Sequence, residues 1–76
     1  MNVQNRKSLQ KAIDLLSEVK EIIEQIGEGE QEKFDNLSEG LQQSERGQRM
    51  EEVANNLSDT ASNIDDAIYE IERAME

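Results

Sequence analysis

The sequence predicts an all-α fold, a long antiparallel helical hairpin that dimerises into a four-helix bundle. Apolar residues recur at alternating intervals of three and four in both halves of the chain. Residues that favour turns cluster mainly in one stretch between the two halves. The chain has no proline and only two aromatic residues, Phe34 and Tyr69, so it is a poor source of β-strands. We therefore expect one helical-hairpin domain over residues 1–76.

The first half predicts a helix over about residues 5–36. Its apolar seam has the spacing of a heptad repeat and consists of Leu9, Ala12, Leu16, Val19, Ile23 and Ile26. Three further residues, Ile13, Leu15 and Ile22, widen the seam. Asn5 is the expected N-cap, because an asparagine side chain accepts a hydrogen bond from the first turn.

Gly27 and Gly29 interrupt the first seam. Each glycine weakens a helix by about 0.8–1.0 kcal/mol relative to alanine, so the helix could end here. The surrounding residues are Glu, Gln and Lys, which favour helices, and we expect the helix to continue to about residue 36.

The connection is expected at residues 37–44, where Asn, Ser and Gly cluster. Ser44 is the expected N-cap of a second helix over about 45–75. The seam of this helix consists of Met50, Ala54, Leu57, Ala61, Ile64, Ile68, Ile71 and Met75. A parallel row runs alongside it and makes the stripe wider than a two-stranded seam; it consists of Val53, Thr60, Ala67 and Ala74.

Self-association follows from the width of these stripes, because two helices cover only part of each other. A chain this small rarely gains more than about 3–5 kcal/mol from its own core, and without Cys or His it has no disulfide or usual zinc site. We expect a homodimer or higher homo-oligomer, with a heteromeric partner as the alternative. The expected interface residues are Leu9, Leu16, Val19, Ile23, Met50, Leu57, Ile64, Ile68 and Ile71.

Composition argues against several classes of function. Without His or Cys the usual acid–base and nucleophilic groups are missing, and no phosphate-binding or calcium-binding loop occurs, so we expect no enzyme, cofactor or metal site. The net charge of −10 opposes direct binding to nucleic acid or to an anionic membrane. No apolar run is long enough for a membrane span, and the N-terminus lacks the apolar core of a signal peptide. We therefore expect a cytoplasmic protein.

The segment Glu30–Arg49 is less repetitive than either helix and is the candidate site. Arg46 and Arg49 are three residues apart and therefore share a face at the start of the second helix, where backbone N–H groups favour anions. The candidate ligand- or partner-binding residues are Ser44, Arg46, Arg49, Phe34, Asn36, Arg6 and Lys7. A purely structural alternative pairs Arg46 with Glu39, with Glu45 or with the far end of a partner hairpin, and uses Gly47 for close packing.

The same segment resembles small uncharacterised acidic helical-hairpin proteins of bacteriophages and prophages. The resemblance spans roughly residues 9–75 and depends on Glu30-Gln31-Glu32, Phe34-Asp35-Asn36, Glu39, Leu41-Gln42 and Ser44-Glu45-Arg46-Gly47. Those proteins often have proline where this chain has Ser38, so the connection here is expected to turn less sharply. The resemblance implies a phage origin, an accessory role in a bacterial host cell, and no transferable functional residues.

A binding function is therefore expected. The leading hypothesis is a phage host-interference (anti-defence) factor that sequesters or blocks either a host protein or a small phosphorylated or nucleotide signal. The first alternative is a structural homo-oligomeric bundle or assembly scaffold. The second is an acidic mimic of DNA, for which net charge is the motivation.

Overall fold

The computed structural model describes all 76 residues, and the predicted all-helical class is confirmed. The chain forms α1 (Val3–Asp35), α2 (Glu39–Gln42) and α3 (Glu45–Met75), and it contains no strand. The molecule is a rod with extents of 58 × 15 × 13 Å.

The first helix begins earlier than the sequence predicted. Asn2, not Asn5, is the N-cap of α1, and its side chain accepts a hydrogen bond of 2.7 Å from the backbone N–H of Asn5. Both asparagines suit a cap, and the sequence between them contains no residue that prevents helix formation. The earlier asparagine is therefore the N-cap, which adds one more turn of backbone hydrogen bonds to α1.

Gly27 and Gly29 do not end α1, which continues without a break to Asp35. Neither glycine has a positive φ. A Cβ on Gly27 would lie 3.4 Å from the Cβ of Leu57 on α3, whereas a Cβ on Gly29 would have no neighbour within 4 Å. Gly27 is thus a point of close approach between the two long helices.

The two long helices lie side by side and run in opposite directions. The Arg6 side chain, near the start of α1, donates a hydrogen bond to the backbone carbonyl of Met75 at the end of α3. Lys20 forms an ion pair of 2.7 Å with Asp65, and Gly27 faces Leu57. Residues further along α1 therefore meet residues earlier in α3.

The contact between α1 and α3 is a narrow seam, because two helices cannot surround a core. The only buried side chains are those of Phe34, Ala54 and Ala61. The predicted α3 seam from Met50 to Met75 is half-buried or buried throughout. Alanines at two of its positions let the helices approach closely and leave little volume to fill.

The connection contains an additional short helix that the sequence analysis did not predict. Ser38 caps α2 by accepting a hydrogen bond of 3.4 Å from the Leu41 N–H. Ser44 caps α3, as predicted, by accepting one of 3.1 Å from the Gly47 N–H. Two serine caps six residues apart thus divide the expected loop into one helical turn and two tight bends.

The ion pair between Lys20 and Asp65 gives a test of the alignment of α1 with α3. The hydrogen bond that Lys20 donates to Asp65 raises the pKa of Lys20 above its ordinary value of 10.5, against the opposing effect of desolvation, and the charges of Asp65 and Glu24 add to the increase. Since the folded-state pKa is the higher one, the pair stabilises the fold below pH 10.5 and loses this contribution as pH rises through the raised value.

We expect Asp65→Asn to lower the pKa of Lys20 towards 10.5 in an NMR titration of the lysine side-chain signals. Glu24→Gln is the matched control, because the Lys20 Nζ to Glu24 Oε1 distance is 3.8 Å and Glu24 makes the smallest contribution. An equal or greater effect of Glu24→Gln would contradict the proposed pairing of the two helices.

Candidate protein-binding surface

A row of large aliphatic side chains on α1 remains exposed. The residues are spaced by four, three and four positions, and their exposed fractions are large: Leu15 52%, Val19 45%, Ile22 57% and Ile26 52%. We call these four residues the α1 stripe. Its spacing is that of a helix seam that meets a second helix, yet no other part of the chain covers it.

The α1 stripe lies beside the seam that contacts α3. Each of its members directly precedes a half-buried residue, namely Leu16, Lys20, Ile23 or Gly27. One residue turns an α-helix by about 100°, so the stripe and the seam point in nearly perpendicular directions. A helix in a square four-helix bundle has two neighbours in such directions.

A weaker second row on α3 has the same relation to its seam. Each member again directly precedes a seam residue, and the row consists of Val53, Thr60, Ala67 and Ala74; we call it the α3 row. Both rows lie one residue before the seam positions of their helices. Because the two helices are antiparallel, this displacement turns the α1 stripe and the α3 row towards the same side of the helix pair. The α1 stripe and the α3 row together form what we call the apolar face.

The opposite side of the pair is polar. A shallow groove there is lined by residues that follow the seam positions, among them Glu24, Glu28, Ser58, Ser62 and Asp65. The ion pair between Lys20 and Asp65 spans this groove. The two sides of the pair therefore differ in chemistry: the apolar face presents aliphatic side chains, and the groove presents polar and charged ones.

The residues predicted at the tip do not converge on one site. Arg46 and Arg49 are exposed, and neither forms an ion pair, including the alternatives with Glu39 and Glu45. The Ser44 hydroxyl accepts from the Gly47 N–H and donates to the Leu41 carbonyl, so its donor and one acceptor position are used by the connection. The tip offers two free cations but no enclosed pocket.

The other candidate binding residues have separate positions. Phe34 is buried, with 9% of its surface exposed, and its carbonyl accepts a hydrogen bond from Gln42. Asn36 is the exposed C-cap of α1. Arg6 contacts the end of α3, while Lys7 is exposed without an ion pair. The structure therefore joins none of these four residues to the arginines at the tip.

Most of the predicted interface residues lie along the contact between α1 and α3 of the same chain. Val19 is exposed, but the other eight are half-buried along the contact between α1 and α3, namely Leu9, Leu16, Ile23, Met50, Leu57, Ile64, Ile68 and Ile71. Leu15, Ile22 and Ile26, which are exposed, were not among the predicted interface residues. The signal that identifies them is a second heptad, displaced by one residue from the α1 positions that meet α3.

Neither long helix has a segment apolar enough to cross a membrane. No three carboxylates come together in a way that could hold a metal ion. Comparison with known proteins adds no assignment, since no family model, curated protein or solved structure matches the chain. The exposed apolar face is therefore the main structural clue to function.

Proposed function

We propose that the chain is a non-enzymatic protein-binding protein, and that its working unit is a dimer of helical hairpins in a four-helix bundle. The observation that carries this proposal is the uncovered α1 stripe. Contiguous exposed apolar surface on a small protein marks an interaction site. Four large aliphatic residues at heptad spacing favour another helix as the occupant.

Energetic considerations support a dimer. Burying an exposed aliphatic side chain contributes about 1.5–3 kcal/mol, so covering the half-exposed stripes of two copies contributes roughly 6–12 kcal/mol. Association costs about 4–15 kcal/mol in lost freedom of motion. The two ranges overlap, and the smaller aliphatic groups of the α3 row add to the favourable side. We therefore expect a dimer that dissociates on dilution.

The dimer would expose an acidic surface to its partner. Each chain has a net charge of −10, and the polar groove lies on the side away from the apolar face. We propose that this surface sequesters or blocks a basic protein. The resemblance to phage proteins favours a protein of the bacterial host, which would make the chain an anti-defence factor.

A pulldown from host lysate, run beside light scattering, tests both parts of this proposal. Light scattering should give the mass of a dimer. The pulldown should capture a basic host protein, and added salt should release it, since exposed charges are screened at high ionic strength. Competition by DNA for the same protein would identify the acidic surface as a DNA mimic. A dimer that captures nothing would favour the structural or scaffold alternative, and a monomer would contradict the proposed unit.

One observation favours binding of a small anion as a second candidate function. Arg46 and Arg49 are exposed and lack carboxylate partners, beside the N-terminus of α3. This candidate predicts that a cyclic nucleotide raises the thermal midpoint of the protein, and that Arg46→Ala with Arg49→Ala removes the increase. Lys33→Ala is the control, because Lys33 already pairs with Glu30.

A further inference from the structure

We infer that a second copy of the chain covers the apolar face with α1 packed antiparallel on its own counterpart, about a two-fold axis that crosses α1 between Lys20 and Glu21. This inference rests on the proposed dimer and adds its interface and register. It is carried by the symmetry of the two apolar rows and by the charges beside them.

The α1 stripe reads nearly the same in both directions, as an antiparallel two-fold pairing requires. About the proposed axis, Val19 faces Ile22 of the second copy and Leu15 faces Ile26. The next positions outward are both small, since Ala12 faces Gly29. Large side chains thus meet at the centre of the contact between the two α1 helices, and small side chains lie at each end of it.

The α3 row has the same kind of symmetry about a point between Asn63 and Ile64. About that point Thr60 faces Ala67 of the second copy, and Val53 faces Ala74. All four side chains are small or medium in size, so α3 and its counterpart can approach closely. Asn63 would meet Asn63 of the second copy, and an amide can both donate and accept a hydrogen bond.

The two symmetry points lie at the same level of the rod. Gly27 faces Leu57, and about two turns away Lys20 pairs with Asp65, next to Ile64. A single axis perpendicular to the helices therefore crosses the midpoints of both rows. The contacts between α1 and α3 that set this level do not depend on the symmetry of either row. Their agreement with the midpoints of both rows therefore supports one shared axis.

Charges beside the α1 stripe also fit this register. On the solvent side of the paired helices, Lys11 comes within about 3 Å of the level of Glu32 of the second copy. Neither residue has an ion-pair partner in its own chain. Glu18 comes to a similar level as Gln25, which can donate to it. By symmetry, the pairing therefore forms two contacts between Lys11 and Glu32 beside the stripe.

The other two-fold arrangement fits less well. An axis parallel to the helices would set the α1 stripe against α3 of the second copy, at the levels of Thr60, Asn63, Ala67 and Glu70. Large aliphatic side chains would then face the Asn63 amide and the Glu70 carboxylate, which need hydrogen-bond partners when they are buried.

Distances between spin labels test the register, and the absence of cysteine lets single labels be placed without other changes. The positions Asp14, Glu21 and Glu28 are exposed on one outer side of α1 and seven residues apart. After substitution by cysteine and labelling, the two Glu21 labels should be offset along the rod by less than about 2 Å. The Asp14 pair and the Glu28 pair should each be offset by about 20 Å.

The expected result is a shortest distance at Glu21 and longer, similar distances at Asp14 and Glu28. Equal distances at all three positions in a dimer would overturn the antiparallel register and leave the proposed dimer standing. A monomer mass with no coupling between labels would overturn the register and the dimer together. Light scattering on each labelled protein separates these outcomes.

Discussion

Replacing Gly47 by alanine is expected to destabilise the chain by about 1–3 kcal/mol, a typical effect of overpacking. Gly47 is buried at the start of α3, under the end of α2. A Cβ there would lie 2.1 Å from the Leu41 carbonyl oxygen and 2.7 Å from that of Gln42. Both neighbours are backbone atoms, and the Leu41 carbonyl also accepts from Ser44, so the connection has to move as a whole.

Gly40→Ala is the matched control, because Gly40 is an exposed helical residue of the same connection and a Cβ there meets nothing within 4 Å. Alanine favours the helix, so this change should be neutral or stabilise the chain by up to about 1 kcal/mol. Thermal unfolding by circular dichroism at one chain concentration compares the two. A Gly47→Ala protein as stable as Gly40→Ala would contradict the close packing of α2 on α3.

The fold class could be predicted because it depends on local properties that the sequence states directly. Heptad spacing and an absence of proline predict helices, and Ser44 was recognised as a cap from its own side chain and its place in a turn-rich stretch. The α2 turn was not predicted. Its formation depends on Ser38 acting as a second cap and on Gly47 leaving space for the returning backbone, which is a tertiary contact.

The candidate surface was only partly predictable from sequence. Heptad spacing identified apolar residues on α1 but could not divide them between two neighbours. That division depends on how α1 rotates against α3, and Gly27 opposite Leu57 and Lys20 opposite Asp65 set the rotation. A lysine in the seam is difficult to anticipate, because its aliphatic part packs while its ammonium group reaches a carboxylate at the edge.

The inferred register also affects the basic residues that lie at opposite ends of a single chain. It brings Arg6 and Lys7 of one copy to the level of Arg46 and Arg49 of the other. Each end of the rod would then collect cations from both chains, although each chain is strongly acidic. Anion binding at this end should therefore depend on chain concentration, which distinguishes a composite site from one formed by Arg46 and Arg49 alone.

Replacing Ile22 by glutamate is expected to weaken the proposed dimer by at least about a hundredfold in dissociation constant, or roughly 3 kcal/mol. Ile22 lies beside the inferred axis, so two new carboxylates would enter the centre of the interface close to each other. Each copy would lose aliphatic burial and gain a charge that is unfavourable out of water. The single chain should keep its helices, because Ile22 is 57% exposed within it.

Tyr69→Glu is the matched control for this loss of association. Tyr69 is 61% exposed, follows the seam on the polar side of α3 and contacts Arg73, so its replacement changes the charge equally without touching the apolar face. Sedimentation equilibrium should give a weakened dimer for Ile22→Glu alone, and circular dichroism should give similar helix content for both. Added salt should strengthen the unmodified dimer, because it screens the repulsion between two chains of charge −10. Equal weakening by both substitutions would mean that net charge, not the α1 stripe, governs association.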